Sequence, residues 1–590
     1  MKWKLEPPFT WINLVLVLIT GTFFSGLLWL PDYLINASKS TFWPSSTLPP
    51  AAIMGEIKEL FVRDNHDMFR ILGEFIVLWC VLLVTPRVKS VKRLSWIPAL
   101  LYFLVWMYQA YYALSIKLYY EHPNLINDLS LLREVVPVFL GQVGLATYTN
   151  LLGLLIAMLI GLLLIHLGFT FWIRGMQRLR PRVRYLLAGM MLVQMMVLVA
   201  GIQHFDDSLL SKPEYRALQW VTPKVIRSLR PLDSLMLADS TMEKLKQYDQ
   251  VRLKNPPNVY LLFVESYGAV AKCLWQEGPL YTQLMDQYAH IYQDSGYTVY
   301  STFSEAPIMG GRSWLSFTSA MTGLTINNHL TFNHLLSADY NYPHLVRYFS
   351  GEGYNTYRIK TMADQTQSTT LSYALADRFY AFDHWIKYED FPYQGYQYDY
   401  FGGMPDQYAL NYFDAHLLDK SRQPYFIFSI NMTTHGPWHH VPPVLNDWRD
   451  LDTIKTCPDG TNRSLDFADE SMRYFEAIRY AMEVHMRFIF STVPDHSLVI
   501  LIGDHQPPGM NFTCIGKITE AAVPVHLISR DRELVEGFAD YGFIPGMDVP
   551  LSHDVTMKHA GLYSMLVREL IRHYGPEGAK LPAYRPGGVL

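Results

Sequence analysis

Five long apolar segments in the first 205 residues limit what this chain can fold into: Trp11–Leu30, Phe69–Thr85, Trp96–Ile116, Leu151–Ile173 and Tyr185–Gln203. A bilayer crossing takes ~20 predominantly apolar residues. Backbone at that depth must satisfy its own hydrogen bonds, so the five read as membrane-spanning helices. The second is the weakest, being short and interrupted by Glu74. The first has the look of a secretory leader, but no small-residue cleavage site follows it and four more spans do.

Basic residues orient the spans. Arg87, Lys89, Lys92 and Arg93 fall between the second and third, and Arg174, Arg178, Arg180, Arg182 and Arg184 between the fourth and fifth. Those loops, and the start of the chain with Lys2 and Lys4, belong on the cytoplasmic side. An odd number of crossings then delivers everything after residue 205 to the outer face. Residues 206–255 form an amphipathic connector, with Trp220, Val225, Leu229 and Leu232 interleaved with Lys224, Arg227 and Arg230. That pattern suits a helix lying along headgroups, or one packed on the domain that follows.

Residues 256–590 have a different character. Apolar runs at Val259–Val264, Tyr425–Ile430, Ser497–Ile502 and Ala522–Ile528 alternate with helical patterns, as at 466–490. A shorter run at Gly353–Ile359 reads as another strand, and Pro524 argues that the 522–528 strand lies near an edge. The expected fold is therefore an α-helical membrane domain of five spans followed by an α/β sandwich with a mostly parallel sheet. With a net charge of −4, nothing argues for a nucleic-acid partner. Of four cysteines, Cys80 reads as a core residue, while Cys273, Cys457 and Cys514 lie in the polar half without CxxC spacing. In an exported domain Cys457 and Cys514 could pair; free thiols are the other option.

Strand ends carry the chemistry. The first strand runs into Glu265, the 425–430 strand into Thr434-His435-Gly436, and the 497–502 strand into Gly503-Asp504-His505. Ligands of α/β sheets gather at such ends. Between the first two lies Gly310-Gly311-Arg312-Ser313-Trp314, where two glycines permit a tight turn and Ser313 can cap a helix that Gly323 ends. Taken singly, Glu265 reads as a surface or capping group, Ser313 as a helix cap and His435 as a loop residue. Together, Glu265, Ser313, Asp504 and His505 make a four-ligand set for one divalent cation, Zn²⁺ or Mn²⁺, with Mg²⁺ as a further option. A coordinated hydroxyl loses its proton more readily, which would make Ser313 the nucleophile. Arg312 adds a fork of donors for a phosphoryl group, and His435 an acid for the leaving oxygen.

This ordered set resembles the alkaline phosphatase superfamily in its sulfatase-like branch, and most of all the membrane-bound lipoteichoic acid synthase-like and phosphoglycerol or phosphoethanolamine transferases. The motif matches are confined to about residues 256–323, 425–440 and 470–530, and Gly402-Gly403-Met404-Pro405-Asp406 is similar to the family's glycine-then-aspartate segment before a helix. The resemblance implies metal ligands at Glu265, Ser313, Asp504 and His505, a nucleophile at Ser313, and substrate contacts from Arg312, Trp314 and His435. Sulfatases proper carry Cys/Ser-x-Pro-x-Arg ahead of Thr-Gly. Here Leu315 and Phe317 stand at the Pro and Arg positions, which disfavours sulfate esters. The family's second substrate histidine, Trp and Arg have no clean equivalent around Arg358–Met362, and Ser313 replaces the commoner threonine.

The implied activity is transfer of a phospholipid headgroup phosphoryl unit, through a phosphoseryl intermediate, to a cell-envelope glycan or lipid. The implied place is a bacterial cytoplasmic membrane, with the catalytic domain outside. A membrane-anchored hydrolase of the same superfamily and an inactive assembly factor are the alternatives.

Overall fold

The computed structural model describes residues 11–35, 73–85, 90–119, 121–129, 145–204, 225–226, 229, 251–274, 277–337, 342–361, 371–398, 403–422, 424–436, 438, 440–456, 470–510 and 518–589. The chain divides into two compact units, one of Met1–Asp128 with Val143–Pro231, the other of Leu129–Gln142 with Leu232–Leu590.

The first unit is helical: α1 (Trp11–Ile35), α2 (Gly73–Val84), α3 (Trp96–Tyr119), α4 (Leu145–Arg178) and α5 (Pro181–His204). Among the described residues, three stretches are long and apolar enough to cross a membrane: Trp11–Ile35, Val91–Tyr119 and Leu155–Arg178. Three of the five expected spans fall in these stretches. Within the second expected span the described residues form an apolar helix of 12 residues, Gly73–Val84, and the fifth falls in α5, which is not among the three. Inside the unit Phe24, Phe75, Trp79, Tyr102, Phe169 and Trp172 pack together. Their polar atoms turn to backbone carbonyls: Trp172 Nε1 donates to Val17 O at 2.9 Å and Tyr102 OH to Phe24 O at 2.7 Å. Leu155, Leu159 and Leu163 stay exposed, an outward face suited to lipid. Of the connector, Val225 packs against this helical core, while most of 206–250 lies outside the described residues.

The second unit is built on a nine-stranded sheet. Its elements include, in order, β1 (Asn258–Val264), α6 (Glu277–Asp294), β2 (Thr298–Glu305), α7 (Ser313–Thr322), β3 (Asn355–Ile359), β4 (His384–Ile386) and α8 (Asp406–Tyr412). Then come β5 (Tyr425–Asn431), α9 (Glu470–Ser491), β6 (Ser497–Gly503), β7 (Ala522–Ser529), β8 (Ile544–Pro545), β9 (Met557–Lys558) and α10 (Gly561–Tyr574). Strand order is β4-β3-β5-β1-β6-β7-β2-β8, with β9 on β2.

Alternation along β1 builds two cores. Val259, Leu261 and Phe263 face one side with α7 and α10, and Tyr260, Leu262 and Val264 face the other with α6 and α9. Both faces of the strand are therefore buried, as its unbroken apolar run requires. The sheet is mixed, with parallel pairs outnumbering antiparallel ones among the described residues. β4, β3, β5, β1 and β6 are parallel, but β7 is antiparallel to β6 and to β2, and β8 is antiparallel to β2. β2, whose alternation of serine and threonine with larger residues hid it in the sequence, is what pairs β7 from the far side. Pro524 does not mark an edge strand either, because β7 lies between β6 and β2. The β6 ladder ends at Ile502↔Val525, so Pro524 owes β6 no hydrogen bond.

Candidate functional site

β1 has β5 on one side and β6 on the other, with Val264 in register with both Asn431 and Gly503. The chain segments leaving these three adjacent ends are thereby forced together. After Val264 the backbone turns sharply, Ser266 adopting a left-handed φ of 56°, and two bonds pin the turn to its neighbours. Glu265 N–H donates to Asn431 Oδ1 at 2.9 Å, and Ser266 N–H to Asp504 Oδ1 at 2.7 Å. From the far side Tyr474 on α9 donates its hydroxyl to Ser266 O at 2.8 Å and accepts from Gly268 N–H at 3.2 Å. Gly503 has a steric reason: a Cβ there would run into the Tyr267 carbonyl oxygen.

Ser313 arrives from the other direction. Gly311 and Arg312 both take left-handed φ of 60°, and the helix begins at Ser313. Arg312, not Ser313, occupies the capping position, a correction to the sequence expectation. The Ser313 hydroxyl turns away from its own helix, donating to Glu265 Oε2 at 2.8 Å and lying 3.1 Å from His505 Nε2. Gly323 ends the helix in the left-handed region, as expected.

Glu265, Asp504 and His505 are buried, and their donor atoms lie within 4.8 Å of one another. His505 Nε2 is 3.4 Å from both Glu265 Oε1 and Asp504 Oδ2. His505 Nδ1–H donates to Gln506 O at 2.8 Å, which leaves the Nε2 lone pair facing inward. Asp504 Oδ1 accepts from Ser266 and His505 N–H, whereas Oδ2 is buried without a hydrogen-bond partner. Burial and the Glu265 charge push the Asp504 carboxyl well above the usual range. Burial works the same way on Glu265, but His505, His435 and the hydrogen bond from Ser313 outweigh it and hold that group low. Burial also holds His505 below the usual imidazole value. Two buried carboxyls, an imidazole nitrogen, an adjacent hydroxyl and an orphaned acceptor oxygen suit a divalent cation in residue type and reach.

The remaining predicted residues are near this cluster or beside it. His435 bears electrostatically on Glu265 and His505, and Arg312 on His505. His435 donates Nδ1–H to Gly436 O at 2.6 Å, so Nε2 carries the lone pair or the transferable proton. Trp314 follows Ser313 on α7, with its ring against His329 at 5.9 Å between centroids. Sequence reading missed Asn431, Tyr474 and Gln506. Each bonds backbone of the converging segments, and an amide or phenol doing so has no local signature. Cys273 is disulfide-bonded and Cys80 is free; Cys457 and Cys514, for which the sequence leaves pairing and free thiols both open, lie outside the described residues.

Fold and site together define an α/β sandwich whose strand ends hold a buried cation-type donor set beside a serine hydroxyl, in a chain that also carries helices of membrane-spanning length. By sequence, no family model and no curated protein matches it. Among solved structures, the chain is similar to the lipooligosaccharide phosphoethanolamine transferase A (EptA) of Neisseria meningitidis, at 10% identity over 94% of this chain and 95% of that one, TM-score 0.46. It is similar to the phosphoglycerol transferase GacH of Streptococcus pyogenes, solved with sn-glycerol-1-phosphate, at 13% identity over 57% and 94%, TM-score 0.34. It is also similar to the lipoteichoic acid synthase LtaP of Listeria monocytogenes, at 14% identity over 49% and 71%, TM-score 0.33.

Proposed function

We propose that the protein is a metal-dependent phosphotransferase that takes a phosphoglycerol- or phosphoethanolamine-type unit from a phospholipid and passes it to a cell-envelope glycan or lipid. The observation that carries this reading is the Ser313 hydroxyl, held 2.8 Å from Glu265 Oε2 and 3.1 Å from His505 Nε2 by residues 48 and 192 positions away in sequence. A serine placed only to cap its helix would not be aimed at a buried carboxylate. Glu265, Ser313, Asp504 and His505 would hold the cation. When bound, it supplies positive charge that eases loss of the hydroxyl proton and offsets charge on the phosphoryl oxygens.

The chain's own residues do the rest. Glu265 orients the hydroxyl and accepts its hydrogen bond. Ser313 Oγ, its proton released to solvent beforehand, attacks phosphorus, the bond from phosphorus to the glycerol oxygen breaks, and that oxygen leaves with the electron pair as the alkoxide of diacylglycerol. His435 Nε2 gives it a proton, and Arg312 donates to the non-bridging oxygens. An acceptor hydroxyl, deprotonated by the same imidazole, then attacks phosphorus and expels Ser313 Oγ. Spanning helices keep such a site within reach of headgroups. The basic loops of the helical unit and the disulfide at Cys273 both favour an extracytoplasmic catalytic unit, on the outer side of a bacterial cytoplasmic membrane.

The test is the intact mass of the full chain after incubation with phosphatidylglycerol or phosphatidylethanolamine vesicles. A headgroup phosphoryl adduct on Ser313, absent from Ser313→Ala, is expected, with turnover in that variant falling at least about 10³-fold. Headgroup release compared with and without a glycan acceptor distinguishes transfer from hydrolysis. Full turnover by Ser313→Ala overturns the assignment.

A further inference from the structure

The aspartate of the Gly402–Asp406 segment takes no part in the steps above, yet it is 1% exposed and bonded directly to the backbone that leads to His435. Asp406 opens α8, and its carboxylate accepts from two successive amides of the turn after β5: Met432 N–H to Oδ1 at 2.9 Å and Thr433 N–H to Oδ2 at 3.0 Å. That turn closes with His435 N–H on Met432 O at 2.9 Å, so the two amides lie in the loop whose closing residue is the imidazole. The next residue of α8 grips the far end. Gln407 Nε2 donates to Leu445 O at 2.7 Å, and its Oε1 accepts from Leu445 N–H at 3.0 Å. Just ahead of the first grip, Asn431 Oδ1 accepts from both Glu265 N–H, at 2.9 Å, and Thr434 Oγ1, at 3.0 Å. The His435 loop is thus referenced to a carboxylate on one side and to the metal-ligand segment on the other.

We propose that Asp406 is a positioning residue that fixes where the His435 imidazole stands relative to Glu265 and Ser313. A carboxylate suits the task because two parallel N–H groups need two acceptors with no donor between them. Asparagine at 406 meets only one and sets its own NH₂ against the other. The turn must then shift, and a displacement of about 1 Å at a proton donor costs on the order of 10²-fold in rate. This inference rests on the reading of His435 as the acid.

The experiment compares two phosphodiesters with the purified full chain in detergent. One is a phospholipid, whose alkoxide leaving group needs a proton. The other is a p-nitrophenyl phosphodiester, whose phenolate does not. For Asp406→Asn, the single-turnover rate of diacylglycerol release from the phospholipid should fall ~10–100-fold with bound metal per chain unchanged, while the p-nitrophenolate burst, which precedes the base step, loses less than about 3-fold. His435→Ala should show the same discrimination, and adding Asp406→Asn to it should bring no further loss. Should Asp406→Asn not fold, Asp406→Glu keeps charge and both acceptors while displacing the turn by a methylene, and the same discrimination is expected of it. An equal loss on both esters in the Asp406 variants, with His435→Ala still discriminating, overturns the positioning role alone. No discrimination in His435→Ala overturns the acid assignment beneath it.

Discussion

Asp504 shows how much one side chain does here. Its Oδ1 is committed to two backbone amides, so the carboxylate is held rigidly, and its Oδ2 faces the cluster with nothing donating to it. A buried acceptor left that way costs ~1–3 kcal/mol unless a ligand satisfies it. Asp504→Ala should therefore remove bound divalent metal, read as moles of metal per mole of chain, from near one to near zero. The fold should survive, because Glu265 and His505 keep backbone partners of their own through Asn431 and Gln506. Wild-type metal content in that variant would sink the ligand assignment. Ser313 makes a related point. Its type and its place after two glycines were legible in the sequence, but the direction of its hydroxyl was not, since a capping bond and a ligand-ward bond use the same residue.

At the scale of elements, β1 is where packing and chemistry meet. Phe263 lies two residues before Glu265, fully buried, with its ring 6.2 Å from Phe317 on α7 and 5.9 Å from Phe428 on β5. It joins the strand carrying the carboxylate to the helix carrying the serine. Phe263→Ala should cost ~3–5 kcal/mol in denaturant titrations that follow the α/β transition, and should loosen Ser313 from Glu265. A loss under about 1 kcal/mol would mean the two elements are held together elsewhere. The four strands read from unbroken apolar runs are β1, β5, β6 and β7, the ones buried on both faces. β2, which shows the weaker alternation of small polar and larger residues, was missed for lack of such a run. The same logic explains Pro524: proline is excluded only where a ladder needs its N–H, and β6 stops one residue short of it.

The whole α/β unit should be sensitive to acid through buried histidines that stand apart from the Glu265–Ser313 cluster. His344, His485 and His526 are fully buried, and burial pulls them down to about 3, about 4 and about 3. Below the unfolded value of ~6.5, the unfolded chain binds protons that the folded one does not, so stability falls as pH drops from 6.5 towards 4. The denaturation midpoint should shift down across that window, with a loss of stability on the order of 10 kcal/mol as an upper bound for the three together. His526→Gln should flatten part of it, and an unchanged midpoint between pH 6.5 and 4.5 would contradict the burial of these groups.

Sequence alone determined the division into an apolar and a polar half, the residue types of the site and their order, because hydrophobic runs and breakers act over a few neighbours. Sequence could not determine which strands adjoin β1, that β7 reverses, or that Asp406 reaches the loop before His435. Those depend on register between segments tens to hundreds of residues apart. Such pairings are chosen by the burial of the whole sheet, and only the folded chain brings Glu265, Ser313, Asp504 and His505 to one place.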